Sequence, residues 1–340
     1  MKRLAILASL LCQTLVPPEQ ARAQNAADFY HNKTMTLTVG FSPGGAYDVY
    51  ARLIAQHLPA HLPGSPTIVI KNMPGAGSII AANYIYNRAA RDGAEFGLVA
   101  STAALEPLYG STPTQFDGQK FTWLGSANKE VGACFAWHSS SAQLASDLFE
   151  RGMITGTAGT SSLLVPTILN MGLGARLKLV RGYNGTSALM LAIERGEVEG
   201  MCGMVLAALQ AEHPDWLEKR MIKPILQIGL QPSAALLGAP LVTTFVRSAE
   251  DMQLLRLLIG WTIMGRPYLA PPGVPDDRAA ALRAAFEETM RDPDFLADAK
   301  RSRVEIDPIG AADIEAFLKQ SYDTPRELVD RANAILAPTR

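Results

Sequence analysis

Short β-branched or apolar runs alternate with helix-length amphipathic stretches along most of this chain, and that alternation constrains the fold more than any other feature. Segments 35–41, 67–71 and 95–100 read as strands, with helices predicted over 47–58 and 78–88 between them. A crossover from one parallel strand to the next is right-handed in nearly all proteins, so these three strands are expected side by side in one sheet. The scheme repeats further on, with strands at 153–157, 176–180 and 198–202 around helices at 162–171 and 186–195. Segments 121–126 and 131–137 are extended pieces joining the two repeats. This order predicts an α/β protein of two lobes, each a mostly parallel sheet flanked by helices, with a ligand cleft between them.

A length of 340 residues agrees with two lobes, because single cores stop growing near this size. The first lobe is expected to comprise 24–126 and 243–340, and the second 127–242, with the Pro/Gly-rich stretch 231–241 as the return crossing. Within these limits the patterns predict a helix at 204–213, strands at 223–228 and 261–265, and helices at 249–258, 275–290 and 311–334. Pro275 stands at a helix start, where its missing N–H costs nothing.

The first residues are set apart from the fold. Met1-Lys2-Arg3, a short apolar run from Leu4 to Val16 and then Ala21-Arg22-Ala23 have the layout of a secretory signal peptide, 1–23, cleaved near Ala23. The run is too short to span a bilayer, and nothing later reaches that length, so the body is expected to be exported to the periplasm and not embedded in a membrane. Ser9-Leu10-Leu11-Cys12 lacks the small residue that precedes an acylated cysteine. A formal net charge of -1 offers no phosphate-tracking surface, which argues against a nucleic-acid partner. Outside the signal segment Cys134 and Cys202 remain, each in an apolar strand. In an oxidising compartment they either form one disulfide or serve as two small buried hydrophobes. The histidines His31, His57, His61, His138 and His213 are scattered without metal-ligand spacing, so no metal is expected.

Four strand-to-helix junctions are rich in Gly, Ser, Thr and Ala. They are Phe41-Ser42-Pro43-Gly44-Gly45-Ala46-Tyr47-Asp48; Asn72-Met73-Pro74-Gly75-Ala76-Gly77-Ser78; Gly156-Thr157-Ala158-Gly159-Thr160-Ser161-Ser162; and Tyr183-Asn184-Gly185-Thr186-Ser187. Glycines let a ligand approach the backbone, and a helix start offers unpaired N–H groups to an anion. Each charge-assisted N–H bond to a carboxylate is worth about 1.5 to 3 kcal/mol, so a few of them support roughly micromolar binding of a small carboxylate. Gly-rich junctions also serve simply to turn a chain, but four of one design in two lobes favour a binding cleft. Asp48, in the first helical turn, either complements the helix dipole or accepts a hydrogen bond from a ligand amine, hydroxyl or water. Gly75-x-Gly77-x-x-Ile80 lacks the third glycine of a dinucleotide fingerprint, and no junction ends in Gly-Lys-Ser/Thr, so no nucleotide cofactor is expected. No nucleophile elbow or paired-acid motif appears, which favours binding over catalysis.

Val39-Gly40-Phe41-Ser42-Pro43-Gly44-Gly45-Ala46-Tyr47-Asp48-x-x-Ala51-Arg52, Val69 to Ser78, Arg91-Asp92-Gly93, Gly182 to Thr186 and Ala270-Pro271-Pro272-Gly273-Val274-Pro275 together resemble the tripartite tricarboxylate transporter substrate-binding proteins, the Bug or TctC family. The resemblance covers almost the whole chain after the signal segment. It implies a type II-like periplasmic-binding-protein fold, a monomer that closes on a carboxylate and delivers it to a membrane permease with a large and a small subunit. It further implies that the loops at 41–46 and 75–78 hold one carboxylate through backbone N–H groups and waters, joined by Ser101 and Thr102. Ala158 to Ser162, Tyr183 to Thr186 and Met204 would meet the distal end, and Asp48 matches the family's aspartate. Val180-Arg181-Gly182-Tyr183 departs from the common Val-Pro-Tyr-Lys-Gly, as do Cys134 and Cys202, and these departures concern the distal pocket. The other functions weighed are a ligand-loaded partner of a sensor and a secreted α/β hydrolase.

Overall fold

The computed structural model describes residues 26–110, 112–158, 161–206, 213–233 and 238–337, with Leu209 and Leu236. The expected signal segment and the junction residues Gly159 and Thr160 lie outside the described residues. The chain builds two mixed sheets covered by helices.

The first sheet runs β11-β4-β10-β3-β1-β2. Its centre is β1 (Thr34–Val39), which pairs in parallel with β2 (Thr67–Asn72) and β3 (Glu95–Leu98), as the right-handed βαβ scheme requires. Helices α1 (Ala46–His61) and α2 (Ile79–Asn87) make the crossovers. The sheet is then extended by antiparallel strands: β10 (Pro267–Ala270) between β3 and β4 (Thr122–Ser126), and the two-residue β11 (Ile309–Gly310) on the far side of β4. In β1 the alternation places Met35, Leu37 and Val39 on one face, where they meet Ile54 and Leu58 of α1. Leu282 and Phe286 of α6 (Asp276–Thr289) and Phe295 of α7 (Pro293–Arg301) complete that layer. The other face packs Ile85 of α2 with Trp123, Ile314 and Leu318, the last two from α8 (Ala311–Tyr322).

The second sheet runs β7-β6-β8-β5-β9. β6 (Ile154–Gly156) pairs in parallel with β7 (Lys178–Val180) and β8 (Gly200–Val205). β5 (Gly132–Trp137) lies antiparallel between β8 and β9 (Ile222–Ile228). Cys134 stands opposite Cys202 across β5 and β8, and the two are disulfide-bonded. One face carries α3 (Ser161–Leu173), the other α4 (Thr186–Glu194) with Trp137 and Trp216.

Four expectations are corrected. Residues 260–263 are a 3-10 turn and the strand comes later, at Pro267; a proline is tolerated there because it is the strand's first residue. Met204 belongs to β8, where it faces Ala133 of β5, and not to a helix beginning at 204. The predicted helix 311–334 is two helices, α8 and α9 (Arg326–Leu336), because Pro325 cannot continue α8. The expected return crossing at 231–241 stays with the second sheet, since Gln227 bridges Leu241. The chain continues through α5 (Ala249–Ile259), whose Leu254 and Leu258 pack in the same core as Ile168 of α3 and Ile335 of α9. It crosses back only at 260–266. There it runs beside the outgoing crossing: Ala127 donates to Arg266 O at 3.0 Å, Gly265 to Asn128 O at 2.9 Å and Glu130 to Thr262 O at 2.7 Å.

Candidate functional site

β1 delivers the chain to the first glycine-rich junction, where Ser42, Pro43, Gly44, Gly45 and Ala46 are exposed. Gly44 has φ of +83°, a conformation that side-chained residues rarely adopt. Its N–H donates to Asp48 Oδ2 at 2.9 Å. Arg52 donates to both oxygens of the same carboxylate, through Nε at 2.7 Å and Nη2 at 3.2 Å. Asn72, at the end of β2, donates to Asp48 Oδ1 and to Phe41 O, each at 2.9 Å. Burial opposes the charge on Asp48, but Arg52, the Gly44 N–H and the Asn72 amide outweigh it and hold the carboxyl down to about 2. Asp48, expected either to complement the helix dipole or to accept a hydrogen bond from a ligand or water, is 1% exposed, and its carboxylate is engaged within the protein as a brace under the loop.

The second junction carries a run of unusual backbone. Gly75, Ala76, Gly77 and Ser78 have φ of +137°, +46°, +59° and +70°. For Ala76 and Ser78 this left-handed geometry is unfavourable and must be held by its surroundings. Ser78 is buried, and its Oγ accepts from the Ala100 N–H at 2.6 Å, tying the junction to the end of β3. Gly40 passes so close that a Cβ there would lie 2.3 Å from Ser78 Cβ. Ser101 is also buried, and its N–H donates to Tyr47 Oη at 3.4 Å; the Tyr47 ring stacks on Phe41 at 3.9 Å. The structure therefore gathers the junctions after β1, β2 and β3 into one braced cluster, with Thr102 exposed at its margin. Neither α1, behind Gly45, nor α2, behind Ser78, is closed by a capping side chain. Their first-turn N–H groups and the positive ends of their dipoles suit an anion.

The second-sheet junctions follow β6 and β7. Ala158 and Tyr183 are half-buried, while Asn184 and Gly185 are exposed. Gly185 precedes Thr186, the first residue of α4, again without a side-chain cap. Tyr183 donates to Glu197 Oε2 at 3.5 Å, and burial together with that carboxylate raises its hydroxyl. Ser161 and Ser162 open α3. Among the described residues no group of three His, Cys, Asp or Glu side chains gathers to hold a metal. His57 and His61 instead pair with Asp298 and Asp292 at 2.9 and 2.6 Å.

A cavity of about 900 Å³ lies where the two lobes meet beside the crossings, and Ala46 is the one expected junction residue that lines it. Its floor holds Asn128, Glu130 and Arg266, which sequence reasoning did not single out. Arg266 donates to Glu130 Oε1 at 3.0 Å, and its guanidinium lies 4.2 Å from the Tyr47 ring centre and 5.1 Å from that of Tyr50. The polar triplet Asn128-Lys129-Glu130 between two apolar strands was the available signal.

No protein-family model matches the chain, and no curated protein is significantly similar to it in sequence. Solved structures are similar. A TctC solute-binding protein from Polaromonas, solved with no ligand, superposes with a TM-score of 0.70 at 17% identity, covering 88% of this chain and 99% of that one. The periplasmic binding protein BugD gives 0.55 at 20% identity, over 91% of this chain and 98% of its own. MatC from Rhodopseudomonas palustris, with bound malate, gives 0.53 at 18% identity, over 89% and 99%. These likenesses establish the periplasmic-binding-protein fold. No helix among the described residues is long and apolar enough to cross a membrane.

Proposed function

We propose that this chain is a periplasmic solute receptor of the TctC and Bug kind, which captures a small carboxylate between its lobes and delivers it to the permease subunits of a tripartite tricarboxylate-type transporter. The reading makes it a monomeric carrier without cofactor that releases its ligand chemically unchanged. The observation that carries it is the braced cluster: Asn72 and Asp48 hold the first junction, and Ser78 ties the second to β3, while Ser42 to Ala46 and Ala76-Gly77 stay exposed.

In this reading Phe41 to Ala46 and Gly75 to Ser78 grip one carboxylate with N–H groups, and Ser101 and Thr102 stand beside them. Asp48 acts through the loop it braces. Ala158 to Ser162, Tyr183 to Thr186 and Met204 face the rest of the ligand from the second lobe. The lobes turn about the paired crossings at 127–131 and 260–266, a hinge closure of the usual kind. The malate in one structural neighbour supports a carboxylate as the ligand class.

A thermal-shift screen of ligand-stripped protein against mono-, di- and tricarboxylates, aromatic acids and amino acids tests the proposal. Ligand that binds only the native state stabilises it by about 2.7 kcal/mol at a hundredfold excess over Kd. The expected result is a rise in midpoint confined to one acid class, with the acid recovered unchanged. No rise with any acid, or conversion of the acid, would overturn the reading.

A further inference from the structure

Tyr47 is the second residue of α1, between Ala46, which lines the cavity, and the brace Asp48. Its side chain meets three parts of the fold. Phe41 of the first junction stacks on its ring at 3.9 Å, the Ser101 N–H beyond β3 donates to its Oη at 3.4 Å, and the Arg266 guanidinium lies 4.2 Å from its ring centre. Burial pushes the Tyr47 hydroxyl up against the opposing charge of Arg266, which keeps the ring neutral beside the guanidinium.

Arg266 ends the return crossing and is anchored on the first lobe. Its N–H donates to Ser126 Oγ of β4 at 3.0 Å, its carbonyl accepts from the Ala127 N–H at 3.0 Å, and Tyr50, one turn beyond Tyr47, offers a second ring at 5.1 Å. Glu130 stands on the other side of the outgoing crossing, two residues ahead of β5 in the second sheet. Arg266 Nη1 donates to Glu130 Oε1 at 3.0 Å, so this one bond spans the hinge. The two side chains are 11% and 24% exposed, which shields the pair from much of the screening that weakens surface ion pairs. A bond between groups carried by different lobes keeps its geometry in one rotation and loses it in others.

We propose that Tyr47 is a positioning residue that couples the grip on a carboxylate to lobe rotation, through Arg266 and Glu130. The inference rests on the carboxylate reading above. A carboxylate held by the 41–46 junction and beside Ser101 fixes Phe41 and the Tyr47 hydroxyl, and with them the ring on which the guanidinium is seated. A seated guanidinium keeps its bond to Glu130 and favours the rotation that forms it. Linkage makes the effect reciprocal: that rotation tightens the grip by the same factor by which the bound acid favours the rotation.

Calorimetric titration and small-angle scattering of ligand-stripped protein with acetate, malate, citrate, benzoate and glutamate test this. In wild type the acid that binds should also reduce the radius of gyration. Tyr47→Leu should weaken that acid about tenfold and abolish the compaction, whereas Tyr47→Phe, which keeps the ring over Arg266, should retain most of both. Glu130→Gln should cost a similar factor, and the double variant Tyr47→Leu/Glu130→Gln no more than either alone, because both interrupt one chain of contacts. Losses that multiply to about a hundredfold in the double variant, compaction that persists in Tyr47→Leu, or binding without compaction in wild type would overturn the coupling and leave the carboxylate reading standing. If none of the acids binds wild type, both fall. Should Tyr47→Leu not fold, Glu130→Gln decides, and unchanged affinity and compaction there overturn the coupling.

Discussion

The Asn72 side-chain amide reaches the Asp48 carboxylate at 2.9 Å and so joins the end of β2 to the first turn of α1. Two junctions that are separate in sequence thereby share one rigid base. That base is the Asp48 carboxylate, which is 1% exposed, with Asn72 half-buried beside it.

That arrangement sets the behaviour of Asp48→Asn. The asparagine keeps the size but loses the charge that two Arg52 bonds and the Gly44 N–H rely on. A stability loss of about 1 to 2 kcal/mol is expected in urea titration. Ligand affinity should fall by a similar factor for every acid bound, because the carboxylate acts through the loop. A reordering of ligand preference in the variant would instead place Asp48 against the ligand.

The same residue gives the acid limb of stability. Its carboxyl is lowered from an ordinary 3.8 to about 2, so the folded state binds this proton less readily than the unfolded chain. The contribution is complete above about pH 4 and is lost as the pH falls toward 2, with a size of roughly 1 to 2 kcal/mol after solvent screening. Chemical denaturation between pH 5 and pH 2, run on wild type and Asp48→Asn, should show the gap between them closing as the medium is acidified. A gap that stays constant would remove Asp48 from the titration.

Gly44 and Gly45 separate folding from binding. Gly45 has φ of -80° and ψ of 170°, and a Cβ there meets nothing nearer than Ser42 O at 3.7 Å. Gly45→Val should therefore keep its thermal midpoint and lose ligand, because the isopropyl group covers the junction's backbone. Gly44→Val must hold a β-branched residue at φ of +83° and should lose about 1 to 3 kcal/mol of stability as well. Wild-type affinity in a folded Gly45→Val protein would refute a backbone grip at 41–46.

The Cys134–Cys202 bridge closes a loop of 68 residues across neighbouring strands. By the chain-entropy relation its removal should cost about 4 kcal/mol. The paired replacement of both cysteines by serine should show this in urea unfolding, and alkylation of unreduced, denatured protein should find no free thiol. Two free thiols would put the pair among ordinary buried cysteines.

The βαβ halves of both sheets were legible because each element announces its own period: β1 alternates Thr with Met35, Leu37 and Val39, and α1 buries Tyr50, Ile54 and Leu58 at helical spacing. The junction motifs were legible for the same local reason. What sequence reasoning lacked was pairing across distance. The apolar residues of 260–263 resemble a strand, yet the strand that the sheet admits starts at Pro267, a residue that reads as a breaker. Helix α7 does carry a start signal, Asp292 accepting from the N–H groups of Asp294 and Phe295 just ahead of Pro293, and it was overlooked among charged residues. Glu130 and Arg266 are 136 positions apart, so no local pattern could have placed them on one floor.

The position of β10 has a consequence for how the protein acquires its shape. β5 to β9 are consecutive in the chain, so the second sheet can assemble from one continuous segment. The first sheet cannot: β10 lies between β3 and β4, and the gap between those strands stays open until residues 267–270 are delivered. A sheet whose middle member follows both of its flanking strands in the chain must wait for a long loop to close, which is the slow kind of contact. Pulsed hydrogen exchange during refolding should then protect Phe135 and Leu226 amides before those of Leu98 and Trp123, and simultaneous protection would mean that both sheets condense in one step.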